Sequence, residues 1–339
     1  MKKINLLVAI IFVTFLAGCD SSVPKSKAII ESKEGVFAHP SIAPISLEIE
    51  KNPTDAALFF KRAKALRALS EDSIALNDFK KAAELDSSKA IYFSSIGELL
   101  FEHKDVEGSV KWFRKAIQID PKDPIAHLKF AKMLMFVNDN QKAFTEINTV
   151  LRRDPYNPEA YFLKGMVYKN MNDTAKSISS FQTAVQVDPG YQPAILQLAL
   201  IYAAKKDSIA LRYFDNAYAA DPTQLVAIHG KAMFYQENGQ LNKAKEMYKK
   251  CIAQDPQYGD AFFNMGWILM QEDSLEKAAK QFDFVTKIEP NNSEAYYNRG
   301  VCKELLKRPA EALSDYRQAL EFDPEYKEAS DGVARLSKK

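Results

Sequence analysis

The sequence predicts an all-α protein, a solenoid of about eight helical hairpins. Three observations predict this fold: a pattern that returns about every 34 residues, two columns of small residues within it, and a proline near its end. The composition agrees, because the 339 residues include only 12 Gly and 47% are hydrophobic. A chain that repeats one unit at a fixed period folds as stacked copies of that unit.

The repeat is most complete between Gly259 and Asn292. Its apolar pattern predicts two helices, Asp260 to Gln271 and Leu275 to Lys287, joined by a three-residue turn. Pro290 ends the repeat, because proline has no backbone N–H to donate and biases the preceding residue away from helix. The next copy starts directly afterwards.

Two columns of small residues align the copies. The eighth residue is always small: Ala63, Gly97, Ala131, Gly165, Ala199, Ala232, Gly266 and Gly300. So is a residue of the second helix: Ala75, Ser109, Ala143, Ser177, Ala210, Ala244, Ala278 and Ala312. Two helices approach closely only where the side chains on both are short, so these columns predict the contact within each hairpin. The predicted repeats are 56–89, 90–123, 124–157, 158–191, 192–224, 225–258, 259–292 and 293–326.

Large residues and helix-end residues recur as well. Four residues beyond the second small column stand Phe79, Phe113, Ile147, Phe181, Phe214, Tyr248, Phe282 and Tyr316, which are predicted to fill the space beside the contact. Seven repeats end in proline, and an aspartate recurs at or near the end of the second helix: Asp86, Asp120, Asp154, Asp188, Asp221, Asp255 and Asp323. This fixed place makes the aspartates helix-end residues rather than catalytic carboxylates.

The amino terminus has the features of a secretory leader. Residues 1–18 combine Lys2 and Lys3 with an apolar run, Ile4 to Phe15, that is too short to span a bilayer. Leu16 to Cys19 resembles the bacterial lipobox, which implies signal cleavage and diacylation of Cys19. An uncleaved signal anchor and an accidental cysteine are the alternatives. Two acyl chains anchor a protein stably.

Between the leader and the first repeat, residues 19–44 lack a sustained apolar period and are predicted to be a flexible tether. Residues 45–55 resemble the end of a second helix and are interpreted as a half repeat. Without the two leader lysines the chain carries 44 basic and 44 acidic residues, so its charge does not favour nucleic-acid binding.

Across residues 56–326 the chain resembles the tetratricopeptide repeat family. The resemblance implies a right-handed superhelix in which the first helix of each hairpin lines a concave groove. Residues 327–339 are predicted to form a cap helix and tail, since an open array needs a solvated end. Asn264 and Asn298 match a common family residue, but no neighbouring asparagine completes the Lys, Asn and Arg clamp of the chaperone-binding members.

The first helix of the seventh repeat is apolar on two sides. Phe262, Met265, Gly266 and Leu269 share one sector, which is predicted to be core. Phe263, Trp267 and Met270 fall on another sector and exceed what the hairpin itself needs. The equivalent offsets in repeats four to eight predict groove-lining residues: Phe162, Met166, Leu196, Leu200, His229, Met233, Phe263, Trp267, Met270, Tyr297 and Val301. Core packing is the competing interpretation, and the convex face or the array edges are alternative binding surfaces.

The sequence lacks the motifs of common enzymes. There is no HExxH, CxxC, glycine-rich phosphate loop or GxSxG, and the four histidines are scattered. Cys251 and Cys302 replace small residues of other repeats, so buried thiols are expected rather than a disulfide. We therefore expect no catalysis, metal, cofactor, small-molecule substrate or nucleic acid.

The expected function is a protein-interaction scaffold in the bacterial cell envelope. It would be held to a membrane through Cys19, with a periplasmic body whose groove binds peptides or helices of partner proteins. Two alternatives stay open: a chaperone-like holder of unfolded clients, and a self-assembling structural protein.

Overall fold

A computed structural model describes residues 35–337, so the predicted leader, Cys19 and most of the tether lie outside the described residues, as do residues 338–339. The described part contains a short 3-10 helix, Gly35–Ala38, eighteen α-helices and no strand. The helices are α1 Ala43–Lys51, α2 Ala56–Arg67, α3 Asp72–Leu85, α4 Ala90–Glu102, α5 Val106–Ile119, α6 Pro124–Phe136, α7 Asn140–Leu151, α8 Pro158–Asn170, α9 Thr174–Val187, α10 Gln192–Ala204, α11 Ile209–Ala220, α12 Val226–Glu237, α13 Leu241–Gln254, α14 Gly259–Gln271, α15 Leu275–Ile288, α16 Ser293–Leu305, α17 Pro309–Phe322 and α18 Lys327–Leu336.

Seven of the eight repeats show direct contacts between their two helices, and neighbouring hairpins within each compact unit contact one another. The predicted fold class, an α-solenoid of helical hairpins with a C-terminal cap helix, is confirmed. In the seventh repeat, α14 begins one residue before the predicted helix and α15 ends one residue after it. The chain divides into two compact units, one ending at Ala126 and the other beginning at His127.

Large rings and small residues interlock inside the hairpins, as the sequence predicts. Phe181 is fully buried, and a Cβ added at Gly165 would lie 2.6 Å from its ring. Tyr316 is approached by glycines of two helices. A Cβ added at Gly300 of its own hairpin would lie 2.8 Å from its ring, and one added at Gly332 of α18 would lie 2.6 Å from it. Real side chains do not approach so closely, so these glycines set the distance between the helices.

The turn inside every repeat has the same left-handed backbone. One residue per repeat, always the fifteenth, has a φ between 53° and 71°: Ser70, Lys104, Asn138, Asn172, Lys206, Gly239, Asp273 and Lys307. In the fourth repeat the N–H of Asp173 then donates to the carbonyl of Tyr168 at 2.9 Å, which closes the helix end. Seven of these residues have a side chain, so the packing of the two helices outweighs a local cost of roughly 1–3 kcal/mol.

The recurring aspartates act at helix ends, as predicted. Their carboxylates accept the backbone N–H two residues further on at 2.8–3.1 Å, and this is seen at Asp86, Asp120, Asp154, Asp188, Asp221, Asp255 and Asp323. The hydrogen bond directs the chain into the next repeat, because such a side chain imitates one step of a backbone turn.

Short helices cover the two ends of the array. In the first compact unit, α1 packs against α2 and buries Ile45 and Ile49, at the place where a half repeat is predicted. In the second, α18 packs against α17 through Ala329 and Gly332. Arg335 of this cap helix also binds both carboxylate oxygens of Glu304 at 2.7 Å.

Candidate functional site

The first helices of the last five repeats, α8, α10, α12, α14 and α16, form a row in the second compact unit. Lys169 of α8 donates to Gln197 of α10 at 2.8 Å, and α10 contacts α12 directly. The amide of Asn264 in α14 lies 3.2 Å from Nε2 of His229 in α12. Phe263 and Met270 of α14 pack in clusters that contain residues of α16. Side chains at equal offsets on these helices therefore fall along one continuous surface.

Three of the predicted groove residues form an exposed apolar stripe along this row. Leu200 on α10 is 39% exposed, Met233 on α12 is 42% exposed and Trp267 on α14 is 40% exposed. They occupy the same offset in consecutive repeats, so the stripe crosses three helices. Met166 and Val301 share this offset in the flanking repeats and are half-buried. Exposed apolar side chains grouped in this way mark interaction surfaces.

A second group of predicted residues stands one turn earlier and is packed rather than exposed. Each ring packs at an angle against the large ring of its own second helix, with centroids 5.4–5.7 Å apart: Phe162 on Phe181, His229 on Tyr248, Phe263 on Phe282 and Tyr297 on Tyr316. Three of them also contact a tyrosine that precedes or begins the following first helix: Tyr191, Tyr258 and Tyr326. This group supports the exposed stripe from below.

The expectation that Phe263 and Met270 exceed the packing of their own hairpin is wrong. Both pack in a cluster with Ala278 and Phe282 of the second helix, and Cys302 of the next repeat closes it. Leu196 is likewise half-buried in a cluster with Phe214 and Phe234. Of the three residues singled out on α14, Trp267 is the one in the exposed class, at 40%, whereas Phe263 and Met270 are half-buried.

The predicted groove residues include two titratable side chains, His229 and Tyr297. Burial against Tyr248 and Tyr258 lowers the pKa of His229 from the ordinary value of 6.5, and the nearby carboxylate of Asp260 opposes this shift only in part. The folded protein therefore holds His229 neutral at pH 7. Its ring serves as a packing surface and as a partner for Asn264.

The lowered pKa predicts a loss of stability on acidification. An unfolded chain binds a proton at His229 below about pH 6.5, whereas the folded chain takes it up only at lower pH. The free energy of unfolding therefore falls as the pH drops through this window, by up to about 1.4 kcal/mol per pH unit. Urea titrations at pH 7.5 and 5.5 should show a smaller loss for His229→Gln than for the wild type. The exposed His39→Gln serves as the control, and an equal loss in all three proteins would contradict the assignment.

Two buried tyrosine hydroxyls form hydrogen bonds beside the stripe that the sequence analysis does not predict. Tyr248 donates to Gln236 at 2.8 Å and Tyr316 donates to Glu304 at 2.7 Å. In both cases the acceptor precedes the tyrosine by twelve residues, and other repeats have Phe where no such acceptor stands, as at Phe181 and Phe282. A buried hydroxyl needs a partner, so this pairing of Tyr with an acceptor is the signal that could have shown it.

Metal-ligating side chains of the described residues are dispersed, and the two described thiols are buried. Within residues 35–337 no three His, Cys, Asp or Glu side chains are grouped to hold a metal, and no helix there is long and apolar enough to cross a bilayer. Cys251 and Cys302 are unpaired and buried, as predicted, and burial raises their thiol pKa values to about 11 and about 12. Such thiols are protonated and unreactive near pH 7.

Stacked helical hairpins with an exposed apolar stripe along their first helices define a helical-repeat protein of the protein-binding class. Comparison with known families agrees with this. Four models of the tetratricopeptide repeat match residues 60–124, 158–191, 235–298 and 293–326, which together include more than half of the chain. The chain belongs to the tetratricopeptide repeat family, whose members mediate protein–protein interactions.

Individual relatives share parts of this array. Over 88 residues the chain is 28% identical to Protein O-mannosyl-transferase TMTC3 of Homo sapiens, covering 26% of this chain and 10% of that protein. It is 29% identical to Mitochondrial import receptor subunit TOM70 of Homo sapiens over 99 residues, covering 28% and 16%. The chain thus spans less than a fifth of the length of each.

A solved structure supports the fold. The C-terminal part of a TPR repeat-containing protein from Cytophaga hutchinsonii superposes with a TM-score of 0.56 at 15% identity, over 70% of this chain and 98% of that one.

Proposed function

We propose that the chain is a non-catalytic scaffold of the bacterial cell envelope that binds a segment of a partner protein on the stripe formed by Leu200, Met233 and Trp267. The observation that carries the proposal is the exposure of three large apolar side chains at one offset of three consecutive first helices. Keeping such apolar side chains in contact with water is unfavourable, and a partner that covers them removes this cost.

The chemistry of the stripe suits an apolar, adaptable ligand. Trp267 offers a rigid ring of the kind that dominates binding energy at interfaces, while Met233 is flexible enough to fit different side chains. Lys169 and Gln236 border the row with polar groups. An amphipathic helix with apolar residues at every third or fourth position would contact all three members of the stripe. So would an extended segment with apolar residues at every second position.

The envelope location rests on the leader. Residues 1–18 have the order of a secretory signal, and Cys19 follows the small residues that resemble a lipobox. We propose that Cys19 carries the lipid anchor and that the repeats face the periplasm, where the scaffold assembles or regulates an envelope complex.

Site-specific photocross-linking tests the stripe in the full-length chain. With p-benzoylphenylalanine in place of Trp267, irradiation of membranes should capture one protein in stoichiometric amounts. Binding of that purified protein should weaken by roughly 30-fold for Trp267→Ala, since a central aromatic anchor contributes about 2 kcal/mol or more. A variant with Cys19→Ser should leave the membrane fraction and still bind the partner.

The matched control removes exposed apolar surface outside the stripe. Tyr156, Met171 and Leu305 of the same compact unit are 78%, 52% and 58% exposed, and their triple alanine variant should bind normally. If Trp267→Ala binds the partner as the wild type does and has an intact circular dichroism spectrum, the stripe is not the binding site. Capture of many interchangeable unfolded proteins would instead identify a chaperone-like holder, and capture of a second copy of the chain a self-assembling protein.

A further inference from the structure

A groove of about 530 Å³ lies between the second helices of repeats six and seven, α13 and α15. Its lining residues come from three consecutive helices and the turn between the last two. The volume is within the range of roughly 300–1,000 Å³ typical of sites that accept a ligand group. No part of the stripe contributes to this groove.

The floor of the groove is apolar. Phe262 and Met265 of α14 are buried beneath it, and the ring of Phe262 lies 5.1 Å from that of Phe284 on α15. Ile252 and Leu269 complete the floor and are half-buried. These side chains fill the space between the helices only in part, so a partner's aromatic or branched aliphatic side chain can enter and contact them.

The rim of the groove is strongly basic. Four lysines and one glutamate line it, and Lys245 binds that glutamate, Glu272, at 2.6 Å and 2.8 Å. Lys249, Lys277 and Lys280 are exposed, and no carboxylate of residues 35–337 forms an ion pair with them. Three lysines that form no ion pair within the described residues therefore border an apolar floor, and an anionic ligand would gain from all of them.

The groove and the stripe lie on opposite sides of α14. Successive residues of a helix are about 100° apart, so Trp267 points roughly 180° away from the mean direction of Met265 and Leu269. A partner bound at one surface leaves the other accessible. The groove is therefore a second site, independent of the proposed function of the stripe.

We propose that this groove binds an acidic protein segment that inserts an aromatic or branched aliphatic side chain between α13 and α15, with its carboxylates on Lys249, Lys277 and Lys280. Charge complementarity selects the acidic partner. The chain's own residues 20–34 do not fit, because their three acidic residues are balanced by three lysines. A membrane surface fits less well, since the apolar floor is recessed below the lysines and lipid headgroups would contact the rim alone.

Peptide selection on the full-length protein tests the proposal. A displayed library of random twelve-residue peptides is selected on the wild type and depleted on the charge-reversal variant Lys249→Glu, Lys277→Glu, Lys280→Glu. The recovered peptides should be enriched in Asp and Glu around at least one Phe, Trp, Leu or Ile. By fluorescence anisotropy the variant should bind them at least tenfold more weakly than the wild type.

Two further variants separate the groove from general charge. The control is the triple variant Lys111→Glu, Arg114→Glu, Lys122→Glu, which changes the net charge by the same amount. Its substitutions lie on or directly after α5, where basic residues line a surface of one helix that has no aromatic floor. This variant should bind the peptides as the wild type does. Gln281→Trp fills the groove and should weaken binding while the lysines remain.

Three outcomes would overturn the proposal. The first is recovery of neutral or basic peptides, and the second is an equal loss of binding in the α5 variant. The third is lysine-dependent binding of the protein to vesicles of 30% anionic phospholipid, together with no lysine-dependent binding of any peptide. Trp267→Ala should leave peptide affinity unchanged, which distinguishes failure here from failure of the stripe.

Discussion

Replacing Asp315 with alanine is expected to lower the free energy of unfolding of the C-terminal repeats by about 3–5 kcal/mol. Asp315 is 4% exposed on α17 and accepts two hydrogen bonds from Arg299, at 2.7 and 3.1 Å. Lys303 lies 2.8 Å from the same carboxylate. Without Asp315 two cations of α16 remain partly buried with only Asp283 and exposed Glu311 nearby.

Arg299 stays charged in this network. Burial alone would lower its pKa, but the hydrogen bonds and charges of Asp315 and Asp283 outweigh burial and raise it. The guanidinium cannot avoid the loss of Asp315 by releasing its proton, so the cost of an uncompensated buried charge is paid in stability.

The measurement is the urea midpoint followed by circular dichroism, with hydrogen exchange to locate the loss in α15–α18. Asp215→Ala is the matched control, because Lys231 and Asp215 also stand sixteen residues apart but the Asp215 side chain is 60% exposed. An exposed pair contributes about 0–1 kcal/mol. The double variant Arg299→Met, Asp315→Leu should recover much of the stability. A loss for Asp315→Ala no greater than for the control would show that the network is not stabilising.

Replacing Phe181 with alanine should destabilise the fourth repeat by about 3–5 kcal/mol. The ring is fully buried, and it is enclosed by Gly165 and by the ring of Phe162 at 5.7 Å. Removing it leaves a cavity that the backbone at Gly165 cannot fill, since glycine has no side chain to move inward.

Hydrogen exchange in α8 and α9 and the urea midpoint measure this effect. Tyr156→Ala, at a 78% exposed aromatic of the preceding turn, should change stability by no more than about 0.5 kcal/mol. Phe181→Leu should cost less than Phe181→Ala, because it keeps most of the buried volume. Equal midpoints for Phe181→Ala and Tyr156→Ala would mean that the ring does not hold the hairpin together.

Most of the hairpin could be predicted from residue types. Gly165 and Ser177 predict a close helix contact, Phe181 the ring beside it, and Asp188 the end of the second helix, and the structure has each of them in that role. The left-handed turn residue could not be predicted in this way. Lys104, Asn172 and Asp273 share that backbone without sharing a side-chain type, because two packed helices impose it.

The candidate surface could be predicted only in part. The offsets that place Leu200, Met233 and Trp267 on one surface follow from the repeat length alone. Their exposure, and the burial of Phe263 one turn away, depend on rings supplied by other helices. The basic groove could not be predicted, since it depends on the separation of α13 and α15 above Phe262.

The hairpins, their number and the cap helix could be predicted from residue types, because the contacts that specify them lie within one 34-residue repeat or between adjacent repeats. Which apolar side chains of a first helix are left for a partner depends on how neighbouring helices pack against it. An apolar residue looks the same in the sequence whether a neighbouring ring covers it, as Tyr191 covers Phe162, or leaves it exposed, as at Trp267.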